Sequence, residues 1–141
     1  MPMAPPQPRE LIDVIGIGLT EKVAGVALTL LSLERYQEGH IALFRLFRAR
    51  GAFEREFPTP RLELAVMPEE ITPYRFWMMG GTGGGMQELE YRQSYAIVPA
   101  PPRGASDTII EVRAILWERY GAGTRKVVSM DTGPWRFRIG R

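Results

Sequence analysis

The run Gly80, Gly81, Thr82, Gly83, Gly84, Gly85 is the segment of this sequence that most resembles a site for chemistry, because glycine-rich loops cradle phosphates with backbone N–H groups. Such a loop works by opening a helix whose positive end faces the anion. A Walker-type loop closes on Gly-Lys-Ser/Thr, where this chain has Met86-Gln87-Glu88, and a dinucleotide loop needs a third glycine where Met86 stands. Glu88 and Glu90 would repel a phosphate, and the residues that follow alternate as a strand. The run therefore reads as a flexible hairpin connection. Because sandwich domains present ligands on such tips, Gly81, Thr82, Gly83 and Gly84 stand as candidate binding residues.

No other set of residues assembles into a catalytic group. With no cysteine and His40 as the one histidine, neither thiolate chemistry nor a Cys/His zinc site can be built from one chain. His40 follows Gly39 at the start of a strand, has no recognisable Ser and Asp arrangement for a triad, and reads as an exposed or edge histidine. The carboxylates Glu54/Glu56 and Glu69/Glu70 are the residue types of a glycosidase pair, but neighbours on a proline-flanked loop are explained by solvation. Asp13, Asp107 and Asp131 lie far apart, without calcium-loop spacing. The expectation is no catalytic residue, no metal and no cofactor.

The arginines offer a different chemistry. Arg45, Arg48, Arg50, Arg55 and Arg61 stand near Phe44, Phe47, Tyr74 and Trp77, a mixture used by single-stranded nucleic-acid grooves, and Arg136, Arg138 and Arg141 line the last strand. Glu54, Glu56 and Glu63 are interleaved with them, and the net charge is +2. Cross-strand ion pairs and protection of strand edges account for that pattern better than nucleic-acid binding does.

Composition bounds the scaffold. At 141 residues the chain fits one domain able to bury a core without disulfides. Its hydrophobic content of 45% and charged content of 24% are ordinary for a globular domain. The start, MPMAPPQPRE, lacks the basic and apolar regions of a signal peptide, and its prolines predict a disordered tail over residues 1–10 ahead of a single domain over 11–141. No stretch reaches the roughly 18–20 consecutive apolar residues of a membrane span. The compartment stays open between an extracytoplasmic fragment of an anchored precursor and a cytoplasmic protein. Arginine supplies 16 of the 18 basic residues while asparagine and cysteine are absent, which points to a heat-adapted bacterial source.

Period-2 alternation punctuated by turn residues predicts seven to nine antiparallel strands in a two-sheet sandwich. The first strand is Leu11 to Leu19, with Gly16 and Gly18 hinting at a bulge. In Val26 to Tyr36 the apolar phase changes between Leu30 and Leu33, so that strand either bulges or is covered on both faces. The segment from His40 fits a strand or a helical stripe; strand neighbours and the lack of a helix cap favour the strand. Strands follow at Arg61 to Val66, at Tyr74 to Met79 and after the glycine run. In the next, Ile110, Val112, Ala114 and Leu116 face one way and Ile115 and Trp117 the other. A possible strand Val127 to Met130 precedes the last, where Trp135, Phe137 and Ile139 point inward. Trp77 and Trp117 fall on faces opposite the apolar rows, where an aromatic serves a partner-binding patch or glycan platform, or is covered by a loop.

The succession GVALTLLSLERY, YRFWMMGG, PAPPRGA leading into TIIEVRAIL, and a terminal GPWRFRI resembles bacterial immunoglobulin-like sandwich domains, some of which form the extracytoplasmic ends of anti-sigma-factor-like proteins and lipoproteins. The resemblance implies a surface or interaction module and transfers no catalytic residue. The expectation is a non-enzymatic module that binds another protein or a second copy of itself, with a glycan- or single-stranded nucleic-acid-binding β domain as the alternative.

Overall fold

Stretches in which branched, aromatic and leucine side chains alternate with polar ones bury one face and present the other to water, which is the requirement of a half-buried strand. The computed structural model describes residues 8–49, 58–68, 73–85, 88–102 and 108–139. Within them lie eight strands and no helix: β1 (Leu11–Val23), β2 (Val26–Tyr36), β3 (His40–Ala49), β4 (Thr59–Met67), β5 (Arg75–Gly84), β6 (Glu88–Val98), β7 (Ile109–Gly121) and β8 (Thr124–Arg138). All pairings are antiparallel. A five-stranded sheet in the order β1-β2-β3-β6-β5 packs on a three-stranded sheet in the order β4-β7-β8, so the expected all-β, two-sheet sandwich is present. Immunoglobulin constant domains divide seven strands four and three, whereas here the meander β1-β2-β3 continues into β6-β5. Among the described residues no helix is long and apolar enough to cross a membrane.

An extra residue in a strand flips the face that every later side chain takes, and such bulges decide what is buried. In β2 the extra residue is Leu31, between the pairs Leu30–Phe44 and Ser32–Leu43, which returns Leu33 to the core beside Leu28 and Leu30. β1 bulges at Ile17 and Gly18, the latter with φ 67°. In β7 the extra residue is Arg113, since Val112 pairs with Leu64 and Ala114 with Glu63. Ile110 and Val112 point inward before it, and Ile115 and Trp117 after it. Unbroken alternation would have put Ala114 and Leu116 inside and Trp117 outside; the bulge reverses both.

Two-residue turns keep the hairpins long. Ala24 and Gly25 join β1 to β2 with φ 53° and 77°, and Ala122 and Gly123 join β7 to β8 with φ 50° and 76°. These are the primed turns whose twist matches paired strands. As a result β1 runs to Val23, past its expected end at Leu19, and the expected short strand at Val127 and the terminal strand are one β8. The ambiguous segment from His40 is strand, because β2 and β6 pair with its two edges. His40 is corrected by the same fact: it opens a central strand and is buried rather than exposed at an edge.

The core lies between the sheets. Leu28, Leu30, Phe44, Tyr95 and Ile97 meet Ile110, Val112, Trp117, Trp135 and Phe137. The Phe44 ring packs edge-on against Tyr95 at 6.1 Å and Phe137 at 5.9 Å, and the Trp135 indole N–H donates to Val26 O at 3.2 Å across the interface. Each such side chain contributes about 1.5–3 kcal/mol by leaving water. Residues 1–7 of the expected tail lie outside the described residues. Pro8 is already buried, and the N–H groups of Glu10 and Arg9 donate to the Glu38 carboxylate, each at 3.0 Å, which holds that carboxyl below its ordinary range.

Candidate functional site

The glycine run is a strand edge, and the expectation of a flexible turn there is corrected. β5 begins with good strand formers: Phe76 and Met78 face inward opposite Ile97 and Tyr95, and Trp77 faces outward opposite Ala96. Met79 is an extra residue, after which Gly81 and Gly83 take the inward positions opposite Gln93 and Tyr91. Gly80, Thr82 and Gly84 take the outward ones. Pairing with β6 continues to Gly84, so the connection is confined to the residues from Gly85 to the start of β6.

Packing explains some of these glycines. A Cβ on Gly83 would strike the Tyr91 ring and come within 2.6 Å of Glu90 O, and one on Gly81 would lie 2.9 Å from the Gln93 side chain. The Tyr91 ring thus covers an edge glycine. Gly84 and Gly85 have φ near 149° and 146°, which glycine tolerates. Gly80 differs: no atom lies within 4 Å of a Cβ built there, and its φ falls outside the range that strains other residues.

Tyr91 and Gln93 lean over because they reach the opposite sheet. The Tyr91 hydroxyl donates to Pro58 O at 2.6 Å, the Gln93 amide donates to Pro60 O at 2.6 Å, and the Tyr95 hydroxyl accepts from Leu62 N–H at 2.9 Å while donating to Gln93 Oε1 at 2.7 Å. Three consecutive inward residues of β6 thereby satisfy the otherwise unpaired edge at the start of β4. Burial pushes the Tyr95 hydroxyl well above the ordinary tyrosine range. Sequence reasoning found the strand after the glycine run but missed the ladder. Its signal is a glutamine at period two between two tyrosines on a face that is otherwise apolar.

Beside the ladder, under Gly81 and Gly83, opens a groove of about 420 Å³ floored by Thr59, Met78, Tyr91 and Gln93. Among the described residues no strand pairs with the outer side of β5. The other three sheet edges carry the devices that prevent strand addition. β4 has Pro60 and the side-chain ladder; β1 has its bulge with Asp13, Glu21 and Lys22; β8 has Pro134 with Arg125, Lys126 and Arg136. From Gly80 to Gly84 the edge of β5 has the Thr82 side chain alone.

The remaining candidates separate. Trp77 is half-buried on the outer face over the buried Ala96. Trp117 is wholly buried and cannot form a surface patch: its indole N–H donates to Asp131 Oδ2 at 2.8 Å, Arg48 pairs with the same oxygen at 2.6 Å, and the Arg48 guanidinium lies 5.3 Å above the indole. That group braces β3 of one sheet to β7 and β8 of the other. The arginine and aromatic mixture is dispersed as well. Phe44 is in the core, Arg45 pairs with Glu90 at 2.7 Å and Arg61 with Glu118 at 3.2 Å. Glu54, Glu56, Glu69, Glu70, Asp107, Arg50, Arg55 and Arg141 lie outside the described residues. No protein family, curated protein or solved structure matches the chain.

Proposed function

We propose that the protein is a non-enzymatic interaction module that captures an extended peptide segment of a partner protein as an added strand along β5. The observation that carries this reading is the contrast among edges: among the described residues three edges are blocked, and the stretch of the fourth that follows the bulge at Met79, Gly80 to Gly84, carries the Thr82 side chain alone over a groove. Main-chain N–H and C=O groups supply affinity in strand addition, and pockets for alternate side chains supply specificity. The glycines at 80, 82's neighbours and 84 let another backbone approach closely, and the uncharged groove floor accepts a neutral side chain from the incoming strand. Gly80 is the residue on which the reading turns, because among the described residues nothing requires glycine there.

The test is selection of peptides from a random phage-displayed library on the immobilised protein, followed by affinity measurement against Gly80→Lys. A Cβ at Gly80 meets no described atom within 4 Å, and a lysine on an edge strand blocks pairing. Selected peptides should bind the wild type and lose at least about tenfold, about 1.4 kcal/mol, on the variant. Equal binding to both proteins, or association of the protein with itself through this edge to the exclusion of peptides, counts against the reading.

A further inference from the structure

The outer face of the three-stranded sheet carries charge in an arrangement that, among the described residues, the other sheet lacks. On the central strand β7, Glu111 accepts from Arg136 at 2.8 Å and Arg113 at 3.1 Å, and Glu118 is bridged by Arg125 at 3.0 Å and Arg61 at 3.2 Å. The carboxylates lie sunk beneath their partners. Glu111 and Glu118 side chains keep 8% and 4% of their exposure, while Arg113, Arg125 and Arg136 keep 53%, 52% and 63%. On the five-stranded sheet, by contrast, Arg45 and Glu90 are equally open at 40% and 42%. Solvent over β7 and β8 therefore meets guanidinium groups, with Glu63 on β4 as an exposed carboxylate at the margin.

Apolar side chains share this face. Tyr120 stands opposite Arg125, Val127 opposite Glu118 and Met130 opposite Leu116, and Tyr120, Val127 and Met130 are all exposed. A polyanion such as duplex DNA would engage the arginines and leave Val127 and Met130 without a partner. A bilayer with anionic headgroups offers both environments: phosphate and carboxylate for guanidinium, and an interfacial layer in which tyrosine and short apolar side chains are stable.

We propose that the outer face of β7 and β8 docks the protein on an anionic lipid surface. The arginines meet the headgroups, and Tyr120, Val127 and Met130 enter the interfacial layer. The face belongs to the sheet opposite β5, so the proposal stands apart from peptide capture.

Co-sedimentation of the whole protein with vesicles tests it, comparing phosphatidylcholine alone with phosphatidylcholine mixed with phosphatidylserine. Binding is expected to the mixed vesicles and not to the neutral ones. Arg113→Gln and Arg125→Gln leave each carboxylate one arginine, Arg136 for Glu111 and Arg61 for Glu118, and circular dichroism confirms their fold. Each should weaken vesicle binding about fivefold, the equivalent of about 1 kcal/mol per cation at a lipid surface. Met130→Ser, which changes no charge, should weaken it too. Absence of binding to the mixed vesicles overturns the proposal. So does binding that Met130→Ser leaves unchanged and that duplex DNA displaces, which would assign the face to a polyanion.

Discussion

Replacing Tyr95 by Phe removes one oxygen from the interior and leaves the ring and its packing on Phe44 in place. That oxygen accepts the Leu62 N–H and donates to Gln93 Oε1, so the variant strands a buried backbone donor on β4 and a buried amide oxygen on β6. A buried polar group left without a partner costs about 1–3 kcal/mol, and partial relaxation of Gln93 places the total at about 2–4 kcal/mol. With an unfolding entropy of about 2.1 cal/mol/K per residue, a chain of 141 residues loses about 3 °C in Tm for each kcal/mol, giving a shift of roughly 7–13 °C. Urea denaturation followed by fluorescence reads the loss directly, since Trp117 and Trp135 are buried and change environment on unfolding. The slope with denaturant should be unchanged, because the same surface is exposed. Tyr91→Phe removes the bond to Pro58 O and should cost less, about 1 kcal/mol. A loss under about 0.5 kcal/mol for Tyr95→Phe, within the range of ordinary surface changes, would refute the idea that the ladder closes the β4 edge.

Gly83→Ala should destabilise by about 1–3 kcal/mol, as overpacking does, whereas Gly80→Ala should stay within about 0.5 kcal/mol; equal effects in denaturant titrations would contradict the assignment of inward and outward glycines. Alkaline stability follows from Tyr95, whose folded pKa is raised by burial. Between about pH 10, where an unfolded tyrosine titrates, and that higher value, the unfolded chain binds fewer protons, so stability falls as pH rises, and Tyr95→Phe should flatten this limb. Glu111 works in the opposite sense: its hydrogen bond from Arg136, aided by Arg113, lowers the carboxyl pKa despite burial. Its stabilisation is present above about pH 4.3 and is lost as pH falls through the folded value, so Glu111→Gln should show a shallower acid limb in the same titration.

Much of the sandwich is legible as alternation, because a half-buried strand imposes period two on its own residues. The strand at Val26–Tyr36 and the first part of β5, up to Met79, needed no tertiary information to be found. What alternation cannot register is an inserted residue. Arg113 breaks the phase of β7 without altering local composition, and it carries Trp117 from a predicted outer face to the centre of the core. The glycine run misleads for a related reason. Its composition is that of a turn, but its conformation is set by Tyr91 and Gln93 on the neighbouring strand, which leave no room for larger residues at 81 and 83. The bare edge could be read only once the strand order placed β5 last in its sheet. His40 and the strand it opens were likewise decided by partners on both sides.

Backbone amide exchange across β5, measured residue by residue with and without a peptide selected on the wild-type protein, tests the central claim most directly. If the peptide adds as a strand, outward-pointing amides between Gly80 and Gly84 gain protection at alternate residues, and those of β1 and β8 do not change. Protection confined to β1 or β8, or tight peptide binding with no slowing anywhere in β5, would contradict capture at this edge.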